Sequence, residues 1–356
     1  MAPVLVFGAS YGSLFASKLL LAGIDVDIVA PAAHAEELNR EGFRVIYPVR
    51  GQPAPVEVDS RALPGKLRAL APQSVDPAGG GLVVLAMQEP QYRAPELRAL
   101  LAAVAAARRP CLSIMNMPPL PYLARLPGID AGGCRDCYTD ATVWDGFDPA
   151  LVTHCSADAQ ASRIAASPAH VVQVRLPTNF RAARFAGNAE TALLRDVAAR
   201  IDAARFAAPQ GAIALPVRLR VHDSPFVPIS KWPMLVTGNY RCIREAGVRS
   251  IEQAVHEDPA ESAAIYGEVA ALLVRLGAEE ADLVPFEAYA AAAHSLGLPS
   301  SAARAVDSGA TDIERVDRLV QAVAAQQGLR WPPLDALVAL VDARLAANRR
   351  DAGVAA

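Results

Sequence analysis

The sequence of 356 residues contains no run of about 20 apolar side chains, which is the length that a membrane-spanning helix needs. It also has no basic excess, since 34 Lys and Arg stand against 37 Asp and Glu for a formal net charge of −3. Such a chain is poorly suited to neutralise a phosphate backbone. We therefore expect neither a membrane nor nucleic acid as a partner. Without a charged segment before its first apolar run, the N-terminus predicts no secretory signal, and we expect a cytoplasmic protein.

Cysteine and lysine are both scarce. Five cysteines, an odd number in so long a chain, do not make a disulfide framework. Cys134 and Cys137 form a single CxxC with no second pair and no histidine at zinc spacing, so we interpret them as reduced thiols, a redox or metal role being the alternative. No other motif predicts a metal site. Only three lysines (Lys18, Lys66 and Lys231) accompany 31 arginines, although a coding bias would give the same imbalance.

The remaining composition is that of a globular protein, with 53% hydrophobic and 20% charged residues. At about 150 residues per domain, the length predicts two domains. The first thirty residues predict a strand at 3–7, a glycine turn, a helix at 13–22 and a second strand at 24–29. A strand, turn and helix in this order, with glycines at the turn, is typical of the start of a dinucleotide-binding domain.

Further elements follow in a consistent order. Strands are predicted where a doubly wound sheet needs them, at 44–47, 81–87 and 111–115, and later at 171–176 and 213–221. Helices are predicted at 94–107, 190–205, 252–255, 259–276, 285–293, 301–307, 313–326 and 334–347. The sequence thus predicts an α/β fold, with a Rossmann-type doubly wound sheet in a domain of residues 1–220 and an all-helical domain of residues 221–350.

The glycine turn is the candidate phosphate site. A helix N-terminus offers unpaired N–H groups and a partial positive charge, which suit a pyrophosphate. The usual GxGxxG is imperfect here, because only three residues separate Gly8 from Gly12 and Ser10 stands where a second glycine is expected. We predict that Gly8, Ser10, Tyr11, Gly12 and Ser13 contact the cofactor. The alternative is a tight turn that holds no ligand.

The end of the second strand normally decides between the two nicotinamide dinucleotides. An acidic residue there binds the ribose 2′-hydroxyl, and an arginine accepts the 2′-phosphate. This chain has Val29, Ala30 and Pro31 instead, with His34 and Arg40 following. NAD and NADP therefore both stay open.

Several segments together, in chain order, resemble the ketopantoate reductase (2-dehydropantoate 2-reductase) family. They are VLVFGASYGSLFASKLLLAG at 4–23, HAEELNREGFRV at 34–45, residues 85–91 and 114–116, KWPMLVTGN at 231–239, and Ser300, Ser301, Gly309, 311–314 and 332–333 near the C-terminus. The resemblance implies a fold like that of 6-phosphogluconate dehydrogenase and the NAD(P)H-dependent reduction of a small 2-oxo acid to the 2-hydroxy acid. NADPH is the family's cofactor, and the resemblance also suggests a homodimer.

The resemblance assigns the general acid to Lys231. Lysine suits this role better than arginine, whose guanidinium effectively never gives up its proton. The other implied site residues are Asn116 for catalysis and the cofactor, Gln88 for the cofactor, and Asn239, Ser300, Ser301 and Asp312 for the substrate. Plain structural roles are the alternatives, namely a turn for Asn116, packing for Asn239 and a helix cap for the serines.

The sequence departs from the family at five informative positions. Gln88 replaces a lysine, Met117 a glycine, Leu235 an asparagine, Asp312 a glutamate and Pro31 the arginine that would meet a 2′-phosphate. Two alternatives to the reductase therefore stay open. One is an opine-type or hydroxy-acid dehydrogenase with the same domains. The other, favoured by Leu235 and Gln88, is a sensor that binds a dinucleotide without turning it over.

Overall fold

The structure is a computed structural model that describes residues 2–156, 158–164, 170–209 and 211–353. Its contacts divide the chain into two compact units. Unit 1 comprises the described residues of Met1–Met87, Gln91–Tyr122 and Thr142–Asp223, and unit 2 those of Gln88–Pro90, Leu123–Ala141 and Ser224–Ala356. Unit 1 ends three residues beyond the predicted boundary at 220. The functions predicted for the two domains stay predictions.

The strands of the described chain lie in unit 1. They are β1 (Val4–Phe7), β2 (Val26–Val29), β3 (Arg44–Tyr47), β4 (Val56–Asp59), β5 (Leu67–Leu70), β6 (Val83–Leu85), β7 (Cys111–Ile114), β8 (Val152–Ser156), β9 (Gln160–Arg163), β10 (Val171–Leu176), β11 (Phe180–Ala183), β12 (Phe206–Ala208), β13 (Gly211–Ile213) and β14 (Leu219–His222).

The α-helices are divided between the units. They are α1 (Tyr11–Leu21), α2 (Ala32–Glu41), α3 (Pro95–Ala106), α4 (Leu120–Leu123), α5 (Asn188–Ala203), α6 (Trp232–Met234), α7 (Ile251–His256), α8 (Pro259–Arg275), α9 (Phe286–Ala293), α10 (Ser301–Asp307), α11 (Val316–Gln326) and α12 (Pro332–Asp351). In the part of the chain that the structure describes, none of these helices has the length and the apolar composition to cross a membrane.

An eight-stranded sheet forms the centre of unit 1, in the order β14-β11-β8-β7-β6-β1-β2-β5. From β5 to β8 the neighbouring strands are parallel. Numbered along the chain, these six strands have the order 3-2-1-4-5-6, which is that of dinucleotide-binding domains. β1, β6 and β7 are buried throughout, as expected for strands covered on both faces. The predicted Rossmann-type sheet is confirmed.

The prediction that residues 44–47 belong to this sheet is wrong. β3 lies in a separate four-stranded sheet, in the order β4-β3-β10-β9, and so does the strand predicted at 171–176. The side chains of β3 alternate between half-buried and buried, a pattern typical of a sheet with only one face on a core. α1 contacts strands of both sheets. Ten of its eleven residues are accordingly buried, as expected for a helix that is covered all round.

The prediction of a single strand at 213–221 is also wrong. β13 ends at Ile213 and β14 begins at Leu219. Between them Pro216 has no N–H to give to a sheet, and Val217 has a positive φ of 64°. The carbonyls of Leu215 and Pro216 instead accept hydrogen bonds from the Lys18 ammonium, at 3.0 and 2.9 Å. Lys18 on α1 therefore satisfies the backbone where the strand breaks.

Unit 2 is helical, as the sequence predicts for residues after 220. Its described residues contain no named strand, only an isolated bridge between Ile243 and Val248. A buried ion pair stabilises the start of α11, where Arg315 donates to both carboxylate oxygens of Asp317 at 3.0 and 2.9 Å. This bidentate geometry is the strong form of an arginine–carboxylate contact. It fixes the chain just after Asp312 and Glu314.

Candidate functional site

The glycine turn lies at the point where the strand order of the large sheet reverses. β1 continues along the chain to β2 on one side, while β6 lies on its other side. In open parallel sheets, ligands bind outside the carboxyl ends of the strands at such a switch point. Gly8 follows β1 directly, and Tyr11 begins α1. The first N–H groups of a helix have no partner within the helix and can meet a phosphate group.

Gly8 is required by the shape of this turn. Its φ is +99°, a conformation that favours glycine. A Cβ atom there would lie 2.5 Å from Cγ of Met87 and 3.0 Å from the carbonyl oxygen of Ala86. Gly12 lies close to the sheet as well, since its Cβ would be 2.8 Å from Cγ1 of Val6. The two glycines therefore bring the turn and α1 against β1 and the end of β6.

The side chains of the turn are mostly engaged within unit 1. Ser13 donates to the carbonyl oxygen of Ala9 at 2.6 Å, and the Tyr11 hydroxyl donates to that of Ala159 at 2.7 Å. Burial raises the pKa of the Tyr11 phenol well above its usual value. Ser10 is exposed. The turn therefore offers a ligand its backbone and the Ser10 side chain, while cofactor contacts by Tyr11 and Ser13 stay predictions.

Two further predicted residues follow neighbouring strands of the same sheet. Asn116 comes two residues after β7 and is half-buried. Because parallel strands end at one edge, Asn116 follows the sheet on the edge where the glycine turn lies. Gln88 comes three residues after β6, and its contacts place it in unit 2. Pro31, which precedes α2, is exposed and offers no charge to either dinucleotide.

Lys231 lies in an irregular helical stretch of unit 2, residues 228–242. This stretch passes from a 3₁₀ turn (Pro228–Lys231) through α6 to a π turn (Leu235–Asn239) and a second 3₁₀ turn (Tyr240–Cys242). Lys231 is half-buried at the end of the first turn. Leu235, which stands where the family has asparagine, is only 2% exposed and belongs to the core.

The π turn forms where Tyr289 of α9 contacts this stretch. The Tyr289 hydroxyl donates to the carbonyl oxygen of Met234 at 3.2 Å. A Cβ atom on Gly238 would overlap this hydroxyl, so only glycine leaves the space. Kinks and bulges arise where a side chain inserts into the hydrogen-bond ladder of a helix. Such π turns are frequent at functional sites, and this one ends at the predicted site residue Asn239.

The predicted substrate residues lie on separate elements of unit 2. Ser300 and Asn239 are brought together, because the Ser300 hydroxyl donates to the carbonyl oxygen of Asn239 at 2.7 Å. The same hydroxyl accepts from the N–H of Ala303 at 3.1 Å and caps α10, which is the plain structural role considered above. Ser301 is exposed. Asp312 accepts from Arg349 at 2.9 Å and from the Thr311 hydroxyl at 3.0 Å.

The sequence did not single out Glu89 of unit 2. This carboxyl is 3% exposed and accepts from the N–H and the hydroxyl of Thr139, at 3.1 and 3.0 Å. Burial raises its pKa to about 7, although the bonds from Thr139 act in the opposite direction. Perturbed carboxyls of this kind are common at functional sites. The one signal in the sequence that could have indicated Glu89 is its position directly after Gln88, shortly beyond a buried strand.

The chain matches no protein-family model and no curated protein sequence. Solved structures share its fold. A protein assigned as a ketopantoate reductase from Ralstonia solanacearum MolK2 is similar with a TM-score of 0.68 over 99% of both chains, at 18% identity. A ketopantoate reductase from Ralstonia eutropha JMP134 gives 0.63 over 98% of this chain and 99% of that one, at 15% identity.

D-Mandelate dehydrogenase, in a ternary structure with NADH and anilino(oxo)acetate, has a TM-score of 0.62 over 98% of this chain and 99% of that one, at 14% identity. At sequence identities this low, the structural likeness establishes the fold alone. The fold class predicted from the sequence is thus confirmed, and it is the fold of the family that the sequence resembles.

Proposed function

We propose that this chain is an NAD(P)H-dependent oxidoreductase that reduces a small 2-oxo acid to the 2-hydroxy acid. The observation that carries the proposal is the Gly8 turn, placed before a helix N-terminus at the switch point of a sheet with dinucleotide-binding strand order. The shared fold supports it, because the solved structures are named as ketopantoate reductases and as a D-mandelate dehydrogenase bound to NADH.

The residues of the turn fit a pyrophosphate. Gly8 and Gly12 keep Cβ atoms out of the space between the turn and the sheet, and the start of α1 presents backbone N–H groups. Ser10 adds an exposed hydroxyl. A bound nicotinamide dinucleotide supplies the hydride that a ketone reduction requires. Both NADH and NADPH are included, since Pro31 favours neither.

Reduction of a ketone leaves negative charge on its oxygen, which a nearby acid must neutralise. In this proposal Lys231 donates that proton, and general acid catalysis of this kind contributes about 10²–10⁴-fold. Asn116 and Asn239 orient the carbonyl through their amides. Ser301 and Asp312 contact the rest of the substrate, the carboxylate of Asp312 being itself held by Arg349. Cofactor contacts by Gln88 and substrate contacts by Ser300 also stay in the proposal.

A second candidate is the oxidation of a 2-hydroxy acid with the same residues. The likeness to D-mandelate dehydrogenase favours it. In that direction Lys231 would accept the proton of the hydroxyl group. An amine-dependent, opine-type reaction instead condenses the 2-oxo acid with an amine, releases water and reduces the resulting imine. It therefore needs a second substrate, and the same assay distinguishes the three.

The test is the oxidation of NADH and of NADPH, followed by nicotinamide absorbance, with 2-oxo acids of graded side-chain size. Parallel assays add an amine, or run the reverse direction with 2-hydroxy acids. Calorimetry measures dinucleotide binding separately. Oxidation that depends on a 2-oxo acid alone is the expected result. A requirement for the amine identifies an opine dehydrogenase, binding without turnover indicates a sensor, and failure to bind either dinucleotide overturns the proposal.

A further inference from the structure

Three potential metal ligands of unit 1 converge away from the glycine turn. Glu37 and Glu41 lie one helical turn apart on α2, and His170 directly precedes β10. Nδ1 of His170 lies 3.6 Å from Oε1 of Glu37 and 4.0 Å from Oε2 of Glu41. All three ligand atoms lie within 4.8 Å of one another. One nitrogen and two carboxylate oxygens therefore surround a common point.

The distances between Nδ1 and the two carboxylate oxygens suit ligands of a shared metal ion better than direct hydrogen bonds. Charge-assisted N–H···O bonds are about 2.7–2.9 Å long, shorter than either distance from Nδ1. Ligand atoms about 2.1 Å from a zinc ion in tetrahedral geometry are about 3.4 Å apart. The two distances from Nδ1 exceed that spacing by roughly 0.2 and 0.6 Å, and the two carboxylate oxygens lie within 4.8 Å of each other.

His170 is the buried member of the cluster, being 4% exposed. Among the described residues, none hydrogen-bonds to its Nδ1, which is itself buried. A buried polar atom without a hydrogen bond lowers the stability of the folded protein. The backbone of His170 is fixed, because its carbonyl oxygen accepts from the N–H of Arg44 at 3.0 Å where β10 pairs with β3. The ring is therefore anchored while its nitrogen faces the two carboxylates.

The two glutamates are unfavourably placed for the helix itself. Like charges four residues apart destabilise a helix, and negative charge at its C-terminal end opposes the helix dipole. Glu41 is the last residue of α2, and Glu37 lies one turn before it. Arg40 relieves part of this cost by donating to Oε1 of Glu41 at 3.1 and 2.7 Å. That contact leaves Oε2 to face His170.

We propose that Glu37, Glu41 and His170 bind a divalent transition-metal ion such as Zn²⁺. The mixture of imidazole and carboxylate ligands favours zinc, cobalt or nickel over magnesium or calcium, which prefer oxygen alone. The side chains of Glu37 and Glu41 are 31% and 42% exposed, so water completes the coordination. The ion joins the end of α2 to the start of β10, and its role is structural, separate from hydride transfer.

The test uses the full chain, stripped with a chelator, and titrated calorimetrically with Zn²⁺ alone. One equivalent is expected to bind and to raise the melting temperature. Glu37→Gln and His170→Gln are each expected to lose that equivalent and that shift. Glu36→Gln, an exposed neighbour on α2, is the matched control and is expected to keep both. If His170→Gln does not fold, Glu37→Gln alone decides.

Cobalt(II) identifies the ligands independently. A site of one imidazole and two carboxylates gives visible d–d bands without the strong near-ultraviolet absorption of a cobalt–thiolate bond. That absorption would place the ion on the cysteines and overturn the proposal. Absence of stoichiometric binding, or binding that Glu37→Gln leaves unchanged, would also overturn it. The cluster would then be a contact between the His170 ring and two carboxylates that holds no ion. Activity is not a readout, so this result is independent of the proposed reaction.

Discussion

The two regions that hold most of the proposed site residues differ in how their backbones are built. α1, after the glycine turn, is a regular α-helix of 11 residues. Residues 228–242 in unit 2 instead pass through 3₁₀, α, π and again 3₁₀ geometry. A regular helix presents its N-terminal N–H groups whatever its side chains are. An irregular one places particular side chains, such as Lys231 and Asn239.

This difference accounts for some of the positions at which the sequence departs from the family it resembles. At the glycine turn the proposed ligand groups are mainly backbone atoms, so Ser10 can replace a glycine while the turn is kept. In unit 2 the proposed groups are side chains, and there Leu235 and Gln88 replace residues that the family uses. We infer that unit 1 keeps a general dinucleotide-binding shape. We propose that side chains of unit 2 contribute most to the choice of substrate.

The sharpest test of this comparison is Lys231→Ala. If the side chains of residues 228–242 carry the chemistry, turnover should fall by about 10²–10⁴-fold through loss of the general acid. Dinucleotide affinity, which the comparison assigns to unit 1, should not change. Steady-state kinetics and calorimetry measure the two quantities.

Two matched variants accompany it. Lys231→Arg keeps the positive charge but cannot deliver a proton, so its turnover should stay low. Lys66→Ala removes an exposed lysine and should keep full turnover. Full turnover in Lys231→Ala would rule out the role proposed for this residue.

A second test concerns Lys18, the buried lysine of unit 1. Burial and the nearby Arg218 lower the pKa of Lys18 to about 7, from 10.5, despite the opposing effect of Asp202. Between these values the unfolded chain binds a proton that the folded chain does not. The free energy of unfolding should therefore rise with pH from about 7 to 10.5, by roughly 5 kcal/mol at most.

Urea denaturation between pH 6 and 9 measures this slope. Lys18→Met should abolish it, although its overall stability also changes because the carbonyls of Leu215 and Pro216 lose their donor. Lys66→Met is the exposed control and should keep the slope of the wild type. An unchanged slope in Lys18→Met would show that Lys18 stays protonated in the folded protein.

The buried carboxyl of unit 2 should behave in the opposite way. The pKa of Glu89 rises from 4.5 to about 7 through burial, so the folded chain binds a proton that the unfolded chain has lost. The free energy of unfolding should fall by about 3 kcal/mol as pH rises from 4.5 to 7. Denaturation at several pH values measures it. Glu89→Gln should flatten this dependence, whereas Glu245→Gln, an exposed control, should not.

Elements defined by local patterns were the most predictable from sequence. The helix predicted at 301–307 matches α10, and that at 259–276 differs from α8 by one residue, because capping residues and apolar spacing act within a few turns. The order of strands around Gly8 was likewise predictable, since glycine and buried strands mark a dinucleotide-binding unit.

Long-range features were not predictable in this way. The assignment of β3 to a second sheet depends on its pairing with β10, more than 120 residues away. The π turn before Asn239 depends on Tyr289, and the cluster around His170 depends on two glutamates of α2. In each case the decisive partner lies far along the chain. No local pattern records such a contact.

The smallest expected effect tests whether the backbone of the glycine turn binds the dinucleotide. Gly8→Ala and Gly51→Ala each place a side chain at positive φ, +99° and +82°, which costs about 1–3 kcal/mol of stability. Only at Gly8 does the new Cβ also meet neighbouring atoms, Cγ of Met87 at 2.5 Å and the Ala86 oxygen at 3.0 Å, because Gly51 has nothing within 4 Å. The turn or the Met87 side chain must therefore shift, and the affinity for dinucleotide should fall by about tenfold, equivalent to about 1.4 kcal/mol. Gly51→Ala should bind as the wild type does. Equal affinities in both variants would mean that the dinucleotide does not use this turn, and the division between a backbone site and a side-chain site would fail.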